Sequence, residues 1–438
     1  MKMAPSPITV WESTRPILRP RPGHGILILA FLCAPLFGQT SFTWQQIKER
    51  FEAANPTLLA AQLNIDESRA AEITAYLRPN PDFALSSDGT QIARYDGIWR
   101  PFAGTDFSPS ISYLHERAHK RELRLDSARK STDIAETTYL DQERGLLFAL
   151  RSAFVQTLQA KAVLQNAKEN LDYWDRELAV FRTRFQAGDL AQVDLDRLEL
   201  QRVQFESDFE GALVNLRSSK IQLLMLLNER TPIEQFDVAG PFDFTEALLP
   251  LAEFRNSAIE ARPDLKVALE NVELSKVNHL LAVSNGSTDP TYSVWFTHNS
   301  SFNNPYANNT LGASVTIPLR IFDRNQGEKA RTEVDIGRNE RLRDAAVAQV
   351  FNDVDTAYWT LVQNVTLLKP YKGRYLPLAT DVRDRMSFSF QNGGASLLDF
   401  LDAEKSYRDT RLAYLNLIGS YLAAAAQMNQ AVGKEVMQ

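Results

Sequence analysis

The chain is 438 residues long, 44% of them hydrophobic, with a formal net charge of −6. That length and apolar content allow two or three ordinary domains or one extended architecture, and exclude a disordered low-complexity protein. The acidic balance makes nucleic acid a poor partner.

The N-terminus reads as an export signal. Arg15, Arg19 and Arg21 precede the apolar run "ILILAFLCAPLF" (Ile26–Phe37), and the small residue Gly38 follows. A basic region, a short apolar run and a small residue describe a secretory signal peptide over residues 1–38. A short buried N-terminal helix is the competing reading. The run is too short to cross a bilayer as a helix, which takes about 20 residues. Cys33, the only cysteine, follows Leu32 where lipoprotein processing requires a small residue, so the exported chain has neither lipid anchor nor disulfide. Removing Lys2, Arg15, Arg19, Arg21 and Glu12 with the signal moves the net charge from −6 to −9. No later segment reads as a transmembrane helix, so a membrane-spanning form must be a β-barrel.

The next part, residues 39–228, opens with a short helix. Two period-two stretches follow, near Asp82–Thr90 and Ser108–Leu114, joined by the polar, glycine-bearing loop "DGTQIARYDGIWRPFAGTD". "HERAH" (His115–His119) then fits HExxH, the pattern in which two histidines on one helix face bind zinc beside a glutamate base. The charged Lys120 and Arg121 that follow, and the shortage of a further histidine, favour a chance match, so no metal, cofactor or catalytic residue is expected.

From about Tyr113 to Phe185 there is no proline. Leu150, Thr157, Leu164, Leu171, Leu178 and Phe185 recur every seventh residue, with Ala153, Ala160, Ala167, Trp174 and Phe181 between them. This is the a/d pattern of a coiled coil. A helix of about 70 residues is about 105 Å long, more than a compact domain holds. At "QAGD", Gly188 ends the helix in the left-handed conformation and Asp189 is expected to cap the next. A descending ladder follows from Ala191 to Leu226. The proline-bearing segment 229–262 interrupts the helical pattern as a linker.

Residues 263–438 repeat the grammar. A helix leads to alternating segments within about 291–318, "DPTYSVWFTHNS" and "TLGASVTIPL", joined by "NSSFNNPYANN". The ascending helix, about Gly327 to Phe390, carries Pro370, Gly373 and Pro377, which predict a break. Its tip, "SFQNGGASLLDFLDAE", repeats "RFQAGDLAQVDLDRLE" with an offset of 205: Phe185 falls on Phe390, Gly188 on Gly393, Asp194 on Asp399 and Glu199 on Glu404. The chain is read as an internal duplication with tips at about 185–190 and 390–396.

Runs of about ten alternating residues suit membrane-crossing strands. Two soluble hairpins packed on the helices are the alternative. Four strands cannot close a barrel, and lipid-exposed edges are not tolerated, so several chains must pool their strands.

Signal, strand pairs, long hairpins and glycine tips together resemble the TolC-like outer-membrane efflux family over residues 41–434. The second tip (Phe390–Ala403) carries this most specifically, and "VGK" (Val432–Lys434) resembles the usual helix end. "IPLRIFDRNQGEKA" (Ile317–Ala330) resembles the heavy-metal (cobalt-zinc-cadmium type) RND branch. The resemblance implies a mainly α fold with a small β part. Coiled-coil hairpins would form an α-barrel in the periplasm, and each protomer would give four strands to a 12-stranded trimeric β-barrel in outer-membrane lipid. It implies a homotrimer working as exit duct with a periplasmic membrane-fusion adaptor and an inner-membrane RND transporter. The cargo would be metal cations, other small molecules or a secreted protein. An equatorial layer would use residues near Asn228–Arg262.

By the same resemblance, Gly188, Leu190, Gly393 and Ala395 are adaptor-contact candidates. Asp399 and Asp402, with Asp194 more weakly, are pore-gate candidates whose rings of carboxylates would favour cations. "SLLD" (Ser396–Asp399) also reads as a capping box. Phe390 and Ala395 stand where some members have a tyrosine and an arginine that latch the entrance. A coiled-coil spacer would share the heptads but leaves the strand pairs unexplained.

Overall fold

The computed structural model describes residues 40–299 and 308–437. The signal-peptide reading, and most of the loop "NSSFNNPYANN", lie outside them. The first half runs β1 (Thr40–Phe42), α1 (Trp44–Ala54), α2 (Pro56–Tyr76), β2 (Asp82–Asp88), β3 (Asp106–Leu114), α3 (Lys120–Gln186) and α4 (Gln192–Leu226). After β4 (Phe236–Val238) and α5 (Leu251–Ala261) come α6 (Pro263–Asn285), β5 (Thr291–Asn299), β6 (Asn309–Thr316) and α7 (Gln326–Pro370). A π-helical segment (Tyr371–Tyr375) leads into α8 (Leu376–Gln391), and α9 (Leu397–Val432) ends at Gly433.

The heptad ladder becomes a single helix. α3 has 67 residues, about 100 Å at about 1.5 Å per residue. Leu150, Ala153, Thr157, Ala167, Trp174, Leu178 and Phe181 are buried along it, and Phe154, Val155 and Leu158 widen the buried face in its middle. α3 packs against α4, α6 and α9, and α7 against α6 and α9. The expected break in the second ascending helix falls on the five residues after Pro370. There the missing amide hydrogen of proline is absorbed by one wider turn, and the axis continues into α8.

The alternating segments form one antiparallel sheet in the order β2-β3-β5-β6. Register places Phe83, Ile111, Val294 and Ala313 in one row, and Tyr113, Tyr292 and Val315 in another, on the same face. The alternate rows read Ser112–Ser293–Ser314 and Ser110–Trp295–Gly312. The sheet is therefore apolar on one face and mostly small and hydroxyl-bearing on the other. Phe83, Leu85, Ile111, Tyr292, Val294, Leu311 and Val315 are all exposed. Gly312 makes room for Trp295: a Cβ there would come within 2.3 Å of the indole. The outer strands β2 and β6 each have one partner among the described residues, so the sheet is open.

A second pairing escaped the local pattern. β1 runs parallel to β4, with Phe42 opposite Val238. Lys161 and Lys220 both bind the buried Asp237 of β4, tying this small sheet to α3 and α4. Its core includes Ile47, Phe51, Phe154, Leu223 and Phe236. A separate core joins α5, α6, α7 and α9 around Val354, Leu361, Tyr421 and Met428.

Candidate functional site

The two tips repeat each other bond for bond. Gly188 has φ +86° and Gly393 φ +76°. The amides of Gly188 and Asp189 donate to the carbonyls of Phe185 and Arg184; those of Gly393 and Gly394 donate to Phe390 and Ser389. Each pair closes the end of an ascending helix as a Schellman motif, which needs the left-handed residue that glycine supplies without strain. Nothing lies within 4 Å of where a Cβ would stand at either glycine. Both glycines are exposed, whereas Leu190 and Ala395 turn partly inward against the aromatic cluster behind the tips.

The helix starts differ. Asp189 does not cap α4: Ala191 holds the N-cap position, with no side-chain cap, because the helix begins later than the "QAGD" pattern suggested. At the second tip the capping box forms. The Asp399 amide donates to Ser396 Oγ at 3.2 Å, and the Ser396 hydroxyl donates to Asp399 Oδ2 at 2.7 Å. Asp399 is thus engaged at the helix start. Asp402, one turn on, is exposed and free of hydrogen bonds among the described residues. Asp194 lies in the first turn of α4, 4.0 Å from Arg197.

Behind both tips the hairpins meet in one aromatic cluster. Trp174 stacks on Phe205 at 4.9 Å and on Phe400 at 5.8 Å; Phe390 stacks on Phe400 at 5.2 Å. Phe181 meets Phe390 and Phe400 from the side. Trp174 Nε1 donates to the Leu198 carbonyl at 3.1 Å, and Arg184 Nη1 donates to the Phe390 carbonyl at 3.2 Å. Phe390 therefore contributes apolar packing at the second tip. Heptad reading placed Trp174 and Phe181 on the seam, but nothing local showed that the second tip would cover it.

Two residues further back, Glu404 of α9 and Tyr173 of α3, were given no site role by the sequence. Glu404 is 3% exposed, and Tyr173 lies against it. The repeat offers a signal in hindsight: Glu404 is the counterpart of Glu199, whose own partner Arg182 maps to Ser387.

"HERAH" takes a different form from a zinc helix. His115 to His119 precede α3, and His119 sits at its N-cap with φ 57°. Glu116 pairs with Arg124, Nη2 to Oε2 at 2.8 Å, and His115 packs edge-on to Tyr292. The two histidines do not share a helix face. No group of three metal-ligating residues occurs among the described residues. No described helix is long and apolar enough to cross a membrane.

A sequence model of the family "Outer membrane efflux protein" matches residues 49–229 and 251–434. The cobalt-zinc-cadmium resistance protein CzcC of Cupriavidus metallidurans is 24% identical over 393 residues, covering 87% of each chain. The outer membrane protein TolC of Vibrio cholerae is 23% identical over 430 residues, covering 93% of this chain and 95% of that protein. Among solved structures, a crystal structure of CusC superimposes with a TM-score of 0.76 at 18% identity, covering 89% of this chain and 92% of that one. The outer membrane protein VceC of Vibrio cholerae gives 0.71 at 14%, covering 89% and 96%.

Proposed function

The chain belongs to the outer membrane efflux protein family, a family of passive outer-membrane channels rather than enzymes, and we propose that three copies close into the exit duct of a tripartite efflux pump. The observation that carries this is the open sheet with one apolar and one hydroxyl-lined face. An uncovered apolar face suits lipid, and a polar face suits a water-filled lumen. Open edges on β2 and β6 call for strands from other chains. Below the sheet, α4 leaves Val193, Leu200, Val203, Val214 and Ile221 exposed, and α7 and α8 leave Trp359, Leu367, Leu378, Val382 and Phe388 exposed. These stripes suit helix-to-helix seams between neighbouring copies.

On this reading residues 39–228 and 263–438 are two repeats around an equatorial segment, 229–262. The tips meet a periplasmic adaptor through Gly188 and Gly393, with Leu190 and Ala395 beside them, and an inner-membrane RND transporter loads the duct. Asp399 and Asp402 ring the periplasmic entrance, with Asp194 nearby. Metal cations are the favoured cargo, supported by the likeness to the cobalt-zinc-cadmium resistance protein and by the Ile317–Ala330 segment.

Planar-bilayer recording of the full-length protein tests the duct. Discrete ion-conducting openings are expected; a protein that inserts and never conducts contradicts it.

A further inference from the structure

Glu404 is an acid that the duplication has separated from its partner. In the first hairpin its counterpart Glu199 accepts two hydrogen bonds from Arg182, at 3.0 and 2.9 Å, on an exposed surface. An offset of 205 carries Glu199 to Glu404 and Arg182 to Ser387. The second hairpin keeps the acid and loses the cation. It also buries the acid: Glu404 is 3% exposed, and its Oε1 has no hydrogen-bond partner among the described residues.

Every helix around it contributes a polar or charged group. From α3 come Tyr173, which lies against both Glu404 and Ser387, and Glu177. Glu177 accepts a bond from Gln391 Nε2 of α8 at 2.9 Å. From α8 comes Arg383, paired with Asp384 at 2.7 Å and spread over the rings of Tyr407 and Tyr173 at 4.0 and 5.1 Å. From α9 itself comes Arg408, which lies over Phe205 at 4.5 Å and binds Asp208 of α4 at 3.3 Å. Both arginines donate hydrogen bonds to other acids, although the Arg408 Nε is buried without a partner among the described residues and both positive charges act on Glu404. A carboxylate at this place is a buried charge with incomplete compensation, whereas a neutral carboxyl is far less costly.

We propose that Glu404 is a proton-operated latch, holding α8 and α9 against α3 behind the tips when protonated and loosening that packing when it ionises. The latch rests on the exit-duct reading for its consequence, which is easier opening of the periplasmic end. The step is a simple acid dissociation: the carboxyl O–H breaks, its electron pair stays on Glu404, and water takes the proton. Burial foremost pushes the Glu404 carboxyl up to about 7, and the negative charge of Glu177 adds to this; Tyr173, Arg383 and Arg408 pull it down. The packed state therefore binds the proton more tightly than a free glutamate, whose ordinary value is 4.5. Packing is firmest below that value, weakens as pH rises towards about 7, and is constant above.

The test is single-channel recording of the full-length protein in planar bilayers, from about pH 5 to about pH 8. Open probability should rise roughly tenfold across that range. Glu404→Gln, a neutral mimic of the protonated acid, should stay low and flat. Tyr173→Phe removes a group that favours the charge and should move the midpoint to higher pH. The double variant Asp399→Asn/Asp402→Asn should alter ion preference but retain the rise. A flat wild-type profile, or an undiminished rise in Glu404→Gln, overturns the latch. Infrared difference spectra at the same pH values separate the latch from the duct, because they need no conduction. A protonated-carboxyl band that titrates in wild type and is missing in Glu404→Gln supports the proton site; the absence of such a band overturns it. Absence of conduction in all variants counts against the duct alone.

Discussion

Trp174 stacks on Phe400 with ring centroids 5.8 Å apart and planes 11° from parallel, joining the ascending helix of the first hairpin to the descending helix of the second. Both side chains are fully buried, so the two tips share one core. Phe400→Ala should cost about 3–5 kcal/mol, the range for a buried aromatic cut to alanine. Denaturant unfolding measures the loss. In bilayers the same variant should open more often than wild type, because the hairpins lose their common packing. A loss below about 1 kcal/mol would mean that the seam does not hold the tips.

The glycines at the tips separate folding from partner contact. Alanine at position 188 or 393 meets no neighbour, since nothing lies within 4 Å of the new Cβ. The cost is the left-handed backbone alone, about 1–2 kcal/mol. Gly188→Ala and Gly393→Ala should therefore fold and conduct, but crosslink less to a co-expressed adaptor. Unchanged crosslinking would reduce these residues to chain reversal.

Acid positions at the second tip should divide by role. Ser396→Ala removes the cap of α9 and should cost about 1 kcal/mol, with little effect on ion preference. Asp402→Asn removes a carboxylate with no hydrogen bond among the described residues and should lower cation preference with little change in stability. Asp399→Asn should do some of both. Reversal potentials under a salt gradient, read beside melting curves, make the comparison. If Asp402→Asn leaves the reversal potential where it was, the acidic entrance is wrong.

Opposite pH behaviour is expected at the other end of α9. Arg262 is 3% exposed; its guanidinium bonds Asp264, Asp353 at 2.8 Å and the Ala431 carbonyl at 3.2 Å. Burial pushes the Asp264 carboxyl up, but the hydrogen bonds and charge of Arg262 outweigh it and leave it below its ordinary value of 3.8. A lowered acid stabilises the fold above that value, and the contribution is lost as pH falls through the lower folded one. Arg262→Ala should cost about 3–5 kcal/mol, because two carboxylates are left around a vacated buried site. It should also flatten the acid limb of stability. Chemical denaturation from about pH 3 to about pH 7 checks both. An acid limb as steep as that of wild type would show that Arg262 does not govern it.

Much of this architecture was legible because it is local or periodic. Heptad rungs from Leu150 to Phe181 gave α3, alternation gave β5 and β6, and the offset of 205 identified paired tips whose hydrogen bonds coincide. "SLLD" specified the cap that Ser396 and Asp399 form. What stayed hidden depends on distant partners. The β1–β4 pair joins segments nearly two hundred residues apart, and three-residue strands carry no period. "QAGD" misled because an aspartate after a glycine turn caps a helix only when the helix starts at once, and α4 waits until Gln192. "HERAH" matched a spacing whose helix begins one residue after its second histidine. Glu404 appeared in the sequence only as the repeat partner of Glu199, which is exposed; burial makes the difference.

As an exit duct, one chain supplies only part of a closed wall. Native mass spectrometry of the protein released from outer membranes in mild detergent measures this directly. Three chains per particle is the result expected. Particles of a single chain, stable and still inserted in detergent micelles, would contradict it.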